Sequence, residues 1–358
     1  MSFLLFLPGL LEIALVLVAA RIFLPRDFSI PRPRWWVSAL FFVALALIGA
    51  SMFLGGGAVA SMAVKVIFFA LAIAFAMREP RAARWWLLVS VVISLVAQAA
   101  AGNVLNKLSA VPFLLIASLW AASRAQIGAK ELCLIVLALG AEFVQAFALE
   151  SRGLLMAVVI ACAMLVGPLK FLRRTVATSA VLLPIAYPLF LTFLFTAFLS
   201  GSEALKATAS NFERSAMAAW SVQNLSSYPV VGPGVSLFVN EINFIKVLGD
   251  QAVYDAYDPH QYLLSAWIWL GSSAVAVLYI AWCAIWLSEG GAHHVTTDRR
   301  IRVFSILAFL AILTFMLSPP DTSGRAQVAL LTGIAIAGLR DPSILMRKRR
   351  MLVTRQDR

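Results

Sequence analysis

Polar positions along the chain are sparse and clustered, and between the clusters run apolar stretches of helical length. Eleven such stretches stand out, at 3–20, 35–54, 59–77, 85–101, 108–122, 131–149, 153–169, 176–199, 259–287, 303–318 and 325–339. A run of ~18 or more apolar residues is the length of a transmembrane helix. Several runs here are shorter, which predicts tilted or shielded spans, with 108–122 the least regular. The pattern predicts an all-α polytopic membrane protein of about 11–12 transmembrane helices. Spans 1 to 8 occupy 1–199, a polar loop 200–258, spans 9 to 11 occupy 259–339, and a basic tail 340–358. The opening stretch lacks a basic n-region and a small-residue cleavage site, so it reads as a retained first span.

Composition sharpens that picture. Of 358 residues, 62% are hydrophobic and 13% charged, against about 45–50% and about 25% in a soluble domain. So little charge cannot cover a water-facing surface, which excludes a soluble enzyme. The net charge of +12 does not point to nucleic acid, because the basic residues sit between apolar runs rather than along one polar stripe. They report topology instead. Loops 21–34, 78–84, 124–130, 170–174 and 299–302, with the tail, hold 22 Lys and Arg, whereas the opposite side holds six. Lysine and arginine favour the cytoplasmic side, so the tail is expected inside, and the N-terminus and loop 200–258 outside. Glu12, Lys65 and Glu142 are the chief charges within the spans.

Loop 200–258 carries six acidic residues against three basic ones, and six aromatics from Trp220 to Tyr257. That is too aromatic for a disordered linker, so a small external cap is expected. Ser210 and Glu213 have capping-box spacing at the start of a helix through Trp220. A second helical stretch is expected at 236–248, and Pro259 near the start of the ninth span.

The candidate chemistry lies on the outer face. Arg152 sits in a tight turn, Glu150-Ser-Arg-Gly153, and Arg214 on the cap helix; Arg325 opens the last span. Each of these arginines is open to a plainer reading as a snorkelling or salt-bridged side chain, with Glu150 and Glu213 as ready partners. His260 is the one outer-face histidine, while His293 and His294 fall in a cytoplasmic loop. No paired-carboxylate, Cys/His or calcium-loop spacing accompanies them, so no metal and no cofactor is expected. Cys133, Cys162 and Cys283 lie in apolar runs without metal or disulfide spacing.

The order of these features is distinctive. Ser151-Arg-Gly at a span junction is followed by Arg214 with Trp220, then Pro229-Val-Val-Gly-Pro-Gly234, then His260-Gln-Tyr-Leu and Gly271. The set resembles the O-antigen ligase and O-antigen polymerase superfamily over roughly 150–275. Members of that family have about twelve helices, so one N-terminal helix is missing from the present count. The resemblance implies transfer of a glycan from an undecaprenyl-diphosphate-linked donor to a sugar hydroxyl, at the periplasmic face of a bacterial inner membrane. The acceptor would be another lipid-linked glycan in a polymerase, the reading favoured by the short cap, or lipid A–core in a ligase. Arg152 and Arg214 would grip the diphosphate through forked guanidinium groups, and His260 would either deprotonate the acceptor or hydrogen-bond the diphosphate. Arg325, Tyr262, Gly232 and Gly234 join the expected substrate-binding set, the glycines either for close backbone approach or as a loop hinge. The bilayer itself is a partner, since the donor cannot leave it. A transporter or flippase of lipid-linked sugars is the rival class; it would show charged spans and internal repeats.

Overall fold

A computed structural model describes residues 35–100, 111–124, 127–148, 152–199, 209–234, 261–287, 298–317 and 325–340, with 237, 238, 240, 242 and 345. The expectations for the first span, for residues 243–260 and for the tail beyond 345 fall outside them. Among the described residues the fold is all-helical. The helices are α1 (Trp35–Arg78), α2 (Pro80–Ala100), α3 (Val111–Ser123), α4 (Ala129–Ala148), α5 (Arg152–Val166), α6 (Leu169–Leu199), α7 (Ala209–Asn224), α8 (Tyr262–Leu287), α9 (Asp298–Leu317) and α10 (Arg325–Arg340). A short 3₁₀ turn, Leu225–Ser227, follows α7. Two stretches, Arg174–Leu199 and Tyr262–Leu287, are long and apolar enough to cross a membrane.

Three local readings change. The spans expected at 35–54 and 59–77 form one helix of 44 residues that runs through Gly55, Gly56 and Gly57. Apolar packing on both sides of the glycines overrides their poor helix propensity. The real stop comes at Glu79, because Pro80 has no N–H to offer the preceding turn and instead opens α2. The cap helix starts at Ala209, so Ser210 lies inside its first turn rather than at the capping position.

The largest change concerns the ninth span. Gly271 sits at φ 76°, ψ 170°, a conformation that ends a helix. Tyr262 and Trp282 both stack on Phe315 of α9, with centroids 4.7 and 4.0 Å from it. A straight helix would hold residues 262 and 282 about 30 Å apart. The element is therefore a hairpin of two limbs, 262–270 and 272–287, folded back at Gly271.

Around this hairpin α9 and α10 form the most buried part of the bundle, with Phe304, Leu307, Ala311, Ile334 and Ala335 fully enclosed. One end of the bundle collects basic side chains on carbonyls at or near helix ends, three of them C-terminal. Arg300 donates to the Arg124 carbonyl at 2.6 Å, Arg299 to Ile127 at 2.8 Å, and Arg302 to Gly167 at 2.6 Å. Arg340 reaches Ile285 at 3.1 Å, so the second limb of the hairpin ends there too. Cations at helix C-termini complete orphan carbonyls and oppose the helix dipole. Burial holds the Arg300 and Arg340 guanidinium groups below their usual range. Of the basic segments expected on one side, 124–130 and 299–302 meet, and Arg302 reaches Gly167 just before 170–174. Residues 299–302 and 170–174 are the first turns of α9 and α6 and not loops.

Candidate functional site

The site is organised by two prolines in α6, Pro184 and Pro188. A proline cannot donate to the carbonyl four residues earlier, which leaves the Ala180 and Pro184 carbonyls without their helical donors. Side chains of α8 supply both. Trp282 Nε1 donates to Ala180 O at 2.8 Å, and Gln261 Nε2 to Pro184 O at 3.0 Å. Tyr279 Oη adds a bond to Val181 O at 2.5 Å. Gln261 also caps α8, its Oε1 accepting the Leu264 N–H at 3.0 Å. With Gln261 only 2% exposed, this amide is a built-in part of the frame.

One turn further along α6 is Tyr187, whose hydroxyl is hydrogen-bonded by the Arg214 guanidinium. Arg214 itself is exposed. The cap helix is seated there by Phe212, whose ring lies 5.5 Å from Phe195 and 6.4 Å from Phe198. At its other end Trp220 packs 5.5 Å from Phe238 and 5.9 Å from Trp267 on the first limb of the hairpin. The cap thus bridges α6 and α8, and brings Arg214 within about one turn of α6 from the anchor of Gln261. Arg152 is the first residue of α5, whose other end abuts the start of α6 through Gly167 and Pro168. The side chains of Arg152 and Arg325, and all of His260, lie outside the described residues.

The glycine-rich turn is clipped to the hairpin by main-chain bonds in both directions. Gly232 N–H donates to Trp269 O at 3.3 Å and Gly234 N–H to Ile268 O at 2.9 Å. In return Ser272 N–H reaches Tyr228 O at 2.9 Å and Ser273 N–H reaches Pro229 O at 3.0 Å. The loop therefore satisfies the groups that the break at Gly271 exposes. A Cβ at Gly232 would run into the Trp267 and Ile268 carbonyls, and one at Gly271 would meet the Val230 carbonyl carbon at 2.7 Å. The close approach expected of these glycines is to the chain's own helix. Gly234 is needed for its φ of +77° alone, since the space around it is open.

Tyr262, expected in the substrate-binding set, is 6% exposed, its ring tilted against Phe69 and stacked on Phe315, each 4.7 Å away, so it packs in the core. Sequence reasoning also missed Tyr187 and the two proline-freed carbonyls. The four-residue spacing of Pro184 and Pro188 in an apolar run was the available signal, because two orphan carbonyls there demand side-chain donors from elsewhere.

Within the described residues no group of His, Cys, Asp and Glu is arranged to hold a metal ion. The arrangement offers an exposed guanidinium beside a tyrosine hydroxyl, both able to donate to an anionic group. Compared with known proteins, the chain matches no family model, no curated protein and no solved structure.

Proposed function

We propose that the chain is a polytopic inner-membrane glycan transferase, working on an undecaprenyl-diphosphate-linked donor at the periplasmic face and most economically read as a polysaccharide polymerase. Ligation of the same glycan to lipid A–core is the alternative within this class. The observation that carries the reading is the meeting, within one turn of α6, of Arg214 through Tyr187 and of Gln261 through Pro184. These are the cap arginine and the residue next to His260, two motifs far apart in sequence. A membrane setting is supported by large apolar side chains left exposed on α6 and α4, among them Leu182, Phe190, Phe193, Leu137 and Val144. Contiguous exposed apolar surface of that kind is unusual on a soluble monomer.

In this reading the diphosphate leaving group gains negative charge as the anomeric C–O bond breaks. Arg214 and Arg152 stabilise it, and His260 handles the acceptor proton or the diphosphate. The test is glycan transfer by the purified protein from a lipid-linked donor, with divalent ions chelated. Arg214→Ala, Arg152→Ala and His260→Ala should each lose roughly 10²–10³ in rate, while His293→Ala matches the parent. Folded, fully active Arg214→Ala and His260→Ala variants would refute the site; dependence on magnesium would refute its metal-free chemistry.

A second reading, a carrier of lipid-linked sugars, is favoured by two features: the broken helix at Gly271, and Glu142, which is fully buried with neither carboxylate oxygen hydrogen-bonded. Both are typical of transport pathways. Proteoliposomes that translocate the donor without forming a new glycosidic bond would select it.

A further inference from the structure

Tyr187 carries a hydroxyl proton that its neighbours leave unused. Arginine has donors and no acceptor, so the bond between Arg214 and Tyr187 runs from a guanidinium N–H to Tyr187 Oη. Among the described residues Arg214 is the one partner of that hydroxyl, and the phenol proton is left over. Arg214 in turn is exposed, and among the described residues no carboxylate is paired with it. A guanidinium fork with further N–H groups and an O–H beside it are two adjacent donors, and one oxyanion can accept from both. Phe190, three residues along α6 and so a neighbour of Tyr187 on its surface, is an exposed apolar ring, as is Phe193. The donor pair therefore borders apolar surface, where a charge-assisted hydrogen bond is stronger than in water. The anion suited to it is one carried on an apolar chain.

We infer that the Tyr187 hydroxyl donates directly to a phosphate oxygen of a polyprenyl diphosphate, as a second donor beside Arg214. The inference takes the nature of that ligand from the transferase reading, and adds a contact which that reading does not contain. The proton stays on Tyr187, and its hydrogen bond strengthens as negative charge gathers on the leaving diphosphate. Arg214 stands on α7 and Tyr187 on α6, so the two donors together constrain the pose of a phosphate group more than either does alone. Tyr187 is thus a ligand-contacting residue in its own right and not a prop for the guanidinium.

The experiment reads binding and transfer separately, on the purified full chain in detergent. Binding is followed by calorimetry with farnesyl diphosphate, a short prenyl diphosphate, against inorganic pyrophosphate, which lacks the apolar chain, and farnesol, which lacks the anion. Farnesyl diphosphate should bind the parent more tightly than either. Tyr187→Phe removes one oxygen and should elute and melt like the parent. It should weaken farnesyl diphosphate roughly tenfold or more, the loss expected for a hydrogen bond to a charged acceptor, and leave farnesol unchanged. A residue that only propped Arg214 would lose its effect once Arg214 is alanine. The direct contact instead requires a further loss of similar size when Tyr187→Phe is added to Arg214→Ala. Unchanged binding in Tyr187→Phe, no further loss in the Arg214→Ala background, or no binding of farnesyl diphosphate by the parent overturns the inference; glycan transfer by that same parent would leave the transferase reading standing. Conversely, Tyr187-dependent binding in a protein that transfers no glycan overturns the transferase reading and leaves a prenyl-diphosphate site.

Discussion

The two ends of the bundle are closed by different chemistry. At the basic end, arginine side chains of α9 and α10 reach across to the last carbonyls of neighbouring helices. At the hairpin end the contacts are main chain to main chain, with glycines permitting an approach that no other residue allows. Long side chains can adjust their rotamers when a neighbour moves. Backbone pairing around a broken helix has no such slack. The basic end is therefore a tolerant fastening, and the hairpin end a fixed frame to which the cap, Arg214 and the start of α8 are referred.

The sharpest way to break this contrast is Gly232→Ala. Its Cβ meets two carbonyl oxygens that belong to a packed helix, so the cost should be several kcal/mol, in the class of severe backbone and overpacking effects. The expected result is loss of the monodisperse protein in size-exclusion chromatography. A Gly232→Ala protein that elutes and melts like the parent would show that the loop is not clipped to the hairpin.

A smaller effect is expected in the frame beneath it. Gln261→Leu strips the Pro184 carbonyl of its donor and α8 of its cap, for about 1–3 kcal/mol as the price of an unsatisfied buried acceptor. Pro188→Ala restores the helical N–H to that same carbonyl. In a double-mutant cycle followed by melting temperature, the cost of Gln261→Leu should shrink in the Pro188→Ala background. Strict additivity would separate the two residues. The smallest effect belongs to the basic end: Arg302→Ala should cost about 1 kcal/mol, with Lys recovering part of it. A loss there as large as for Gly232→Ala would erase the distinction between the ends.

Much of the fold was legible in the sequence because apolar runs and charge placement act locally. The helices at 131–149, 153–169 and 325–339 and the cap helix fall within a few residues of their expected positions, whereas α6 starts at Leu169, taking in the segment 170–174 expected as a loop. The clustering of Arg299, Arg300 and Arg302 near Arg124 and Gly167 follows from the same charge asymmetry. Of the candidate site, Arg214 and the Pro229–Gly234 turn were visible as motifs, and Gly271 was visible as a glycine in a span. Nothing local told that this glycine is where the span turns back, because its apolar flanks read the same in a straight helix and in a hairpin.

What the sequence by itself determined is the class of structure: helices throughout the described chain, their approximate limits, and which ends carry positive charge. Hydropathy and charge are properties of single segments, so they survive without knowledge of the partners. The tertiary structure alone decided that α1 continues through its glycines, that Tyr262 is a core ring, and that the carbonyls freed by Pro184 and Pro188 find Trp282 and Gln261. Each of these depends on a donor, a ring or a carbonyl supplied by a segment tens to hundreds of residues away. A hydrogen bond's partner is fixed by proximity in space, and that proximity exists only once the hairpin has folded back onto α6 and α9.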